Sequence, residues 1–172
     1  SGQIDVENGW HEKVRDQAIF LACENRVRTA EQIAGVTPRM AKILDPDGDT
    51  NAVERGWHYY LGSLDSGNVY FGPAGDNEVK ATIGCNEAVA HIDGIIGASP
   101  NDTTTPSIWN PQRQPYNPGS VNFGCQYGYK QMINNGDFYI WTFVYDVSGM
   151  EYVKLHYRTD KDGVNPLSSN QN

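Results

Sequence analysis

Hydrophobic and polar positions divide the chain into a first part with a helical period and a second part with an alternating period. Apolar side chains recur every three to four positions in residues about 8–34, 51–65 and 76–96, which predicts three helices. A short apolar turn occupies 40–44. The third helix is expected to bury one stripe, formed by Val79, Ile83, Ala90, Ile92 and Ile95. Three helices with modest loops predict a helical bundle over residues 1–97.

The second part is rich in strand-forming residues. Residues 138–145 and 152–158 alternate, and DVSG between them predicts a turn. This pattern is typical of an immunoglobulin-like sandwich, which needs about seven strands in about 100 residues. Only 68 residues run from Thr105 to Asn172. The predicted fold is therefore α+β: a helical bundle followed by an incomplete sandwich over 130–172. Its missing strands would come from the remainder of the same polypeptide or from a partner chain, so the chain is expected to be a fragment.

Residues 98–129 separate the two parts. The stretch 98–106, ASPNDTTTP, has the composition of a linker. Three prolines follow at 111, 115 and 118, and they argue against regular ladder bonding. We interpret 107–129 as an extended arm that packs across the domain junction, with Trp109 as one of its large anchors.

Consecutive aromatic residues mark the middle helix. Rings at 57–60 must point around the whole helix, so only some of them can enter a core. Rings with a flat apolar face and a polar tip suit the two-sided chemistry of a sugar. The candidate substrate-binding residues are Trp57, His58, Tyr60, Asp65 and Trp109. His58 and Asp65 are two helical turns apart, which permits an acid–base pair or a structural hydrogen bond. The alternative for the whole stretch is a fully buried helix whose hydroxyls are satisfied internally.

The loop DPDGDTN, residues 45–51, places oxygen side chains at alternate positions. This spacing lets a tight loop turn several oxygens toward one hard cation. The candidate calcium ligands are Asp45, Asp47, Asp49 and Asn51, with Glu54 closing the set. The alternative is a solvated acidic turn in which Asp49 or Asn51 caps the next helix.

Composition excludes some functions. A formal charge of −8 supplies no basic patch for nucleic acid, and no apolar run approaches the roughly 20 residues of a membrane span. Many Tyr, Trp, Asn, Gly and Thr residues indicate a secreted or cell-surface protein.

Cys23 and Cys85 lie on predicted helices, where they form either a disulfide bridge or two buried thiols. No two acids converge by spacing, and no nucleophile elbow, HExxH or phosphate loop is present, so the chain by itself is not expected to be a complete enzyme.

The segment GWHYYLG, residues 56–62, resembles the aromatic helix of family-57 glycoside hydrolases. The strand pair with its DVSG turn resembles the immunoglobulin-like or fibronectin-like modules of bacterial polysaccharide-degrading enzymes. This resemblance implies an accessory part of a secreted carbohydrate-active enzyme that acts on an α-glucan-like polysaccharide. Such a part supplies aromatic stacking residues, while the family's catalytic acids lie in barrel motifs absent from this chain. Two alternatives stay open: an extracellular structural protein that assembles by strand or arm exchange, and an isolated carbohydrate-binding module.

Overall fold

The computed structural model describes residues 14–65, 75–97, 101–109, 111–114 and 137–157. The helices are α1 (Val14–Ala34), α2 (Met40–Leu44), α3 (Ala52–Ser63) and α4 (Gly75–Ile96). The strands are β1 (Ser107–Ile108), β2 (Gln112–Gln114), β3 (Tyr139–Trp141) and β4 (Val144–Tyr145). The three long helices and the α+β content are confirmed. Residues 8–13 and 66–74, which the sequence analysis also interpreted, lie outside the described residues.

The core lies where α1, α3 and α4 pack together. It is built from apolar residues on each of the three helices: Phe20, Cys23, Val27 and Ala30 from α1, Tyr60 from α3, and Ala81, Cys85, Ala88, Ile92 and Ile96 from α4. Most of the α4 members have small side chains. Small side chains allow two helix axes to approach closely, so this core is compact although it contains few large residues.

Two glycines set the distance between α3 and α4. A Cβ atom built on Gly84 would stand 2.8 Å from the Cβ of Ser63, and one built on Gly56 would stand 2.7 Å from Cγ2 of Ile92. Real Cβ atoms do not approach other carbon atoms this closely. The crossing of the two helices therefore requires the absence of a side chain at both positions.

The apolar stripe predicted for α4 is wrong at three of its five positions. Val79 and Ile83 are 53% and 52% exposed, and Ala90 is exposed as well. The buried face follows positions 81, 85, 88, 92 and 96. The prediction weighted large aliphatic side chains, whereas the face that packs carries alanine and cysteine, which pattern rules score as weakly apolar.

The strands form two antiparallel pairs. Ser107 pairs with Tyr145 and Ile108 with Val144, while residues 112–114 of β2 pair with 141–139 of β3. The Trp109 amide donates to the Phe143 carbonyl at 2.9 Å, which extends the first pair by one step. Both pairs join the same two stretches of chain, with β1 and β2 on one side and β3 and β4 on the other, and we call the two pairs together the ribbon.

This ribbon corrects two predictions. Part of the proline-containing arm, residues 107–114, supplies β1 and β2 and is not free of ladder bonding. Residues 138–145 form two short strands with different partners, and residues 152–157 form no strand despite their alternation. Residues 115–129 and Arg158 lie outside the described residues. The immunoglobulin-like sandwich stays a prediction.

Asn25 on α1 connects the helices with the ribbon. Its side chain is fully buried, and its amide nitrogen donates to the Thr105 carbonyl at 3.3 Å and to Ser107 Oγ at 3.5 Å. Its amide oxygen accepts from the Val147 amide at 3.0 Å. Asn25 is therefore covered by chain segments that follow α4. None of the described helices combines the length and the apolar character that a membrane crossing requires.

Candidate functional site

An open groove of about 690 Å³ runs beside the C-terminal half of α1. Sites for small ligands have volumes of ~300–1,000 Å³, so the groove is large enough to hold one. It is lined by residues of α1 and the loop after it, by one residue of α3 and by a segment before β1: Glu24, Arg28, Glu31, Gln32, Gly35, Val36, Thr37, Trp57, Thr103, Thr104 and Thr105. Apart from Trp57 and Val36 the lining is mostly polar. Such a surface suits a ligand that offers hydroxyl groups together with one apolar face.

Trp57 forms the aromatic part of the groove. The α3 helix turns this side chain toward α1, where it is half-buried and packs against the core. Its indole nitrogen Nε1 donates a hydrogen bond of 2.7 Å to Oε2 of Glu31. Tyr60 stands behind it, with ring centroids 5.9 Å apart in an edge arrangement. The ring is thus held from two sides and still contributes to an open surface.

The segment 102–105 forms another wall of the groove and is fastened to α1. The Thr103 amide donates to Oε1 of Gln32 at 3.1 Å, and the Thr29 hydroxyl donates to Asp102 Oδ1 at 3.5 Å. The same Asp102 oxygen accepts from the Thr104 amide at 2.7 Å. Three threonines at 103–105 consequently stand along the groove, on a backbone that side chains of α1 hold in place.

The charged groups of the groove are two carboxylates and one guanidinium. Arg28 lies 3.9 Å from Glu24, one helical turn away, in a pair in which both side chains are more than a third exposed. Glu31 bonds the indole of Trp57. Because the wall carries one more negative than positive charge, it favours a neutral ligand over an anionic one.

The remaining residues that the sequence predicted for substrate binding lie elsewhere. Tyr60 is only 7% exposed, and burial raises the pKa of its hydroxyl, so no open ring face is left for a ligand. His58 lies on another face of α3, where its Nδ1 is 2.7 Å from the Ile43 carbonyl oxygen. Its neighbour Tyr59 stacks on His91 with ring centroids 5.3 Å apart.

Asp65 and Trp109 are not among the residues that line the groove. Helix α3 ends at Ser63, so Asp65 lies beyond it and the two-turn spacing from His58 does not apply. Trp109 stands on the ribbon in an aromatic cluster with Trp141 and Phe143, at centroid distances of 5.2 and 5.8 Å. Of the five predicted residues, only Trp57 lines the groove.

The acidic loop 45–51 makes an organised set of contacts. Lys42 bonds Asp47, and Arg39 bonds Oδ2 of Asp49 at 2.8 Å. Asn51 caps α3, as the alternative interpretation of this loop expected, although that interpretation assigned no role to Glu54. Within the described residues no group of three or more His, Cys, Asp or Glu side chains stands in position to hold a metal ion. Calcium binding by Asp45, Asp47, Asp49, Asn51 and Glu54 stays a prediction, and an ion there would have to compete with Lys42 and Arg39.

Glu54 connects this loop with the start of α3. Its carboxylate is fully buried and accepts from the Arg39 side chain at 2.7 and 2.9 Å, from the Arg39 amide at 3.0 Å and from the Asn51 amide at 2.9 Å. The Asn51 side chain in turn accepts from the Glu54 amide, which completes a capping box. The hydrogen bonds from Arg39 lower the pKa of Glu54 from 4.5 to about 2. The carboxylate therefore remains ionised in the folded chain.

Cys23 and Cys85 face each other between α1 and α4 as two buried free thiols. The Cys23 thiol donates to the Cys85 carbonyl at 3.7 Å, and the Ser63 hydroxyl is 3.4 Å from Cys85 Sγ. A hydrogen bond with the Cys85 side chain, together with burial, raises the pKa of the Cys23 thiol. The sequence left a disulfide bridge and two buried thiols as alternatives, and the structure contains two thiols. The third cysteine, Cys125, lies outside the described residues.

Most of the groove was not predicted from the sequence. Glu24 and Arg28 were not among the predicted binding residues, and Thr103 was assigned to a linker. Polar residues on a helix give no pattern signal that separates a solvated face from a ligand-binding wall. The only available signal was the aromatic residue itself, because Trp57 breaks the expected amphipathic pattern.

Comparison with known proteins finds a similarity along most of the chain. The chain is similar to an "Alpha-amylase" from Niallia circulans, with 28% identity over 190 residues. The match covers 92% of this chain but 15% of the amylase, so the chain spans a small part of the relative's length. No family model matches, and no solved structure matches. The similarity supports a relationship between this chain and a glycoside hydrolase.

Proposed function

We propose that the chain is an accessory, non-catalytic part of a glycoside hydrolase that acts on an α-glucan-like polysaccharide, and that it binds the polysaccharide in the Trp57 groove. The observation that carries the proposal is the groove itself, where one half-buried indole ring stands among threonine, amide and carboxylate groups. The similarity to an alpha-amylase supports the choice of an α-glucan. Sugar rings stack their apolar face on an aromatic ring while their hydroxyls bond polar neighbours.

The proposed binding mode uses this arrangement directly. The apolar face of a sugar lies against Trp57, and its hydroxyls reach the carboxylate of Glu24 and the hydroxyls of Thr103 and Thr105. Catalytic acids are supplied from outside this chain. The excess negative charge of the wall selects neutral polysaccharides over acidic ones, which agrees with an α-glucan.

Several further expectations belong to the same proposal. The protein is secreted or exposed at a bacterial cell surface, and calcium at 45–54 stabilises the loop before α3. The ribbon β1–β4 is the beginning of an immunoglobulin-like sandwich, and its further strands come from the remainder of the same polypeptide or from a partner chain. The half-exposed residues around β3 are consistent with such additional cover, since Phe138 and Ile140 are 49% and 42% exposed.

Affinity electrophoresis in gels with and without soluble starch tests the proposal. We expect starch to retard the wild-type chain and the Trp57→Ala variant to bind about tenfold more weakly, which equals ~1.4 kcal/mol. Trp109→Ala is the matched control, because it removes a half-buried indole outside the groove. Circular dichroism must first show that both variants keep their helices. Equal mobility of wild type and Trp57→Ala at every starch concentration would contradict sugar binding in this groove.

A structural role is the second candidate, and one observation favours it. Residues of the ribbon and of the extended segment after it are strongly exposed although they are large and apolar: Tyr139, Tyr152, Val153, Leu155 and Tyr157 are 76%, 62%, 63%, 59% and 82% exposed. An open strand edge with apolar neighbours can recruit a strand from another chain. Electron microscopy of the concentrated protein distinguishes the two functions, because strand exchange gives filaments and an accessory sugar-binding part does not.

A further inference from the structure

Two successive residues of α1 hold the two walls of the groove. Glu31 accepts the hydrogen bond from Trp57 Nε1 at 2.7 Å, and Gln32 accepts the one from the Thr103 amide at 3.1 Å. Neighbouring residues on a helix point about 100° apart, so the two side chains reach different walls. The last turns of α1 therefore fix how the aromatic wall stands relative to the threonine wall.

The bond to Glu31 also decides how Trp57 is oriented. An indole ring has a single N–H donor, and when that donor is bound the ring cannot rotate about its side-chain torsions without losing the bond. The edge contact with Tyr60 restricts the ring on the core side. A ring whose orientation is fixed before the ligand arrives loses less conformational entropy on binding than a ring that the ligand must immobilise.

We propose that Glu31 is the positioning residue of the groove: it fixes the plane of the Trp57 ring and thereby makes that ring a ready platform for a neutral sugar. The proposal rests on the proposed function for the nature of the ligand, but the hold of Glu31 on Trp57 exists without any ligand. Glu31 acts through Trp57, and its carboxylate charge is not what the ring requires. An uncharged acceptor of the same length meets the same need.

Near-ultraviolet circular dichroism and starch affinity, measured on the same variants, test this proposal. Glu31→Ala removes the acceptor, and we expect an altered tryptophan signal and about three- to tenfold weaker binding of soluble starch. Glu31→Gln keeps an acceptor oxygen for the indole and is expected to retain both properties. Glu87→Ala serves as a charge control, since Glu87 is an exposed carboxylate of α4 outside the groove.

A double-mutant cycle then separates positioning from any other effect of Glu31. In a Trp57→Phe background no indole N–H exists, so Glu31→Ala is expected to weaken binding no further. A full additional loss in that background would overturn the proposal, as would equal damage from Glu31→Gln and Glu31→Ala. An unchanged tryptophan signal in Glu31→Ala would overturn it as well.

The outcomes also distinguish this proposal from the proposed function. If the wild-type chain binds no starch while Glu31→Ala still changes the tryptophan signal and Glu31→Gln does not, the sugar assignment fails and the positioning role stands. If starch binds through Trp57 but Glu31→Ala binds equally well, the positioning role fails alone.

Discussion

Replacing Gly84 by alanine tests the close crossing of α3 and α4. A new Cβ atom would stand 2.8 Å from Ser63 Cβ, 3.3 Å from Ser63 Cα and 3.3 Å from the Tyr59 carbonyl oxygen. Two of these three atoms belong to the backbone of α3 and cannot rotate away. The helices must therefore move apart along the face on which the core depends.

The magnitude follows from two opposing effects. Overpacking of a dense core costs ~1–3 kcal/mol, and a clash with backbone atoms belongs in the upper part of that range. Alanine in place of glycine inside a helix contributes ~1 kcal/mol in the opposite direction. We therefore expect Gly84→Ala to lower the free energy of unfolding by about 1–2 kcal/mol. For a chain of this size that corresponds to a Tm lower by ~2–8 °C.

Gly94→Ala is the matched control, because Gly94 lies in the same helix and a Cβ there meets nothing within 4 Å. Only the backbone effect remains at that position, so we expect a gain of ~0.4–1 kcal/mol. Urea unfolding followed by the helical circular dichroism signal measures both variants against wild type. If Gly84→Ala were as stable as Gly94→Ala, the inferred contact between the two helices would be refuted.

Three further predictions concern the loop before α3 and the core. The pKa of Glu54 is lower in the folded chain than its usual 4.5, so the ionised carboxylate stabilises the fold fully above pH 4.5, and this stabilisation is lost as the pH falls toward about 2. In Glu54→Gln, melting curves recorded between pH 2 and 6 should therefore depend less on pH. Cys23 and Cys85 should resist alkylation in the folded protein, since both thiols are buried and that of Cys23 has a raised pKa, and mass spectrometry showing rapid labelling at neutral pH would contradict the packing. If the loop binds calcium, Lys42→Ala should bind the ion more tightly than wild type in a calorimetric titration, because a competing cation is removed from Asp47. No heat and no change in Tm in either protein would contradict calcium binding.

The helices were predictable from the sequence, but the faces by which they pack were not in every case. The start of α3 follows from local chemistry, since Asn51 followed by Glu54 three residues later forms a capping box. The contact face of α4 depends on Ala81 and Ala88, whose importance arises only from a neighbouring helix that comes close. A periodicity rule cannot recognise such a face, because it ranks residues by hydrophobicity and not by the space that they leave free.

The ribbon and the groove were harder to predict for a related reason. Alternation at 138–145 indicated strands, but it did not show that residues 107–114 would be their partners. Tertiary contacts decide strand pairing across about thirty residues of sequence. Because the partner segment contains prolines, local patterns did not predict strands there. The groove likewise unites residues of α1 with Trp57 and Thr103, which no local pattern connects.

The buried amide of Asn25 has a consequence for how the molecule unfolds. One side chain bonds Thr105, Ser107 and Val147, which belong to two stretches of chain that are distant in sequence from α1. If the ribbon detached while the helices stayed folded, that amide would be left without these partners. The two parts should consequently melt in one cooperative transition, and no hinge that separates them should operate in the native protein.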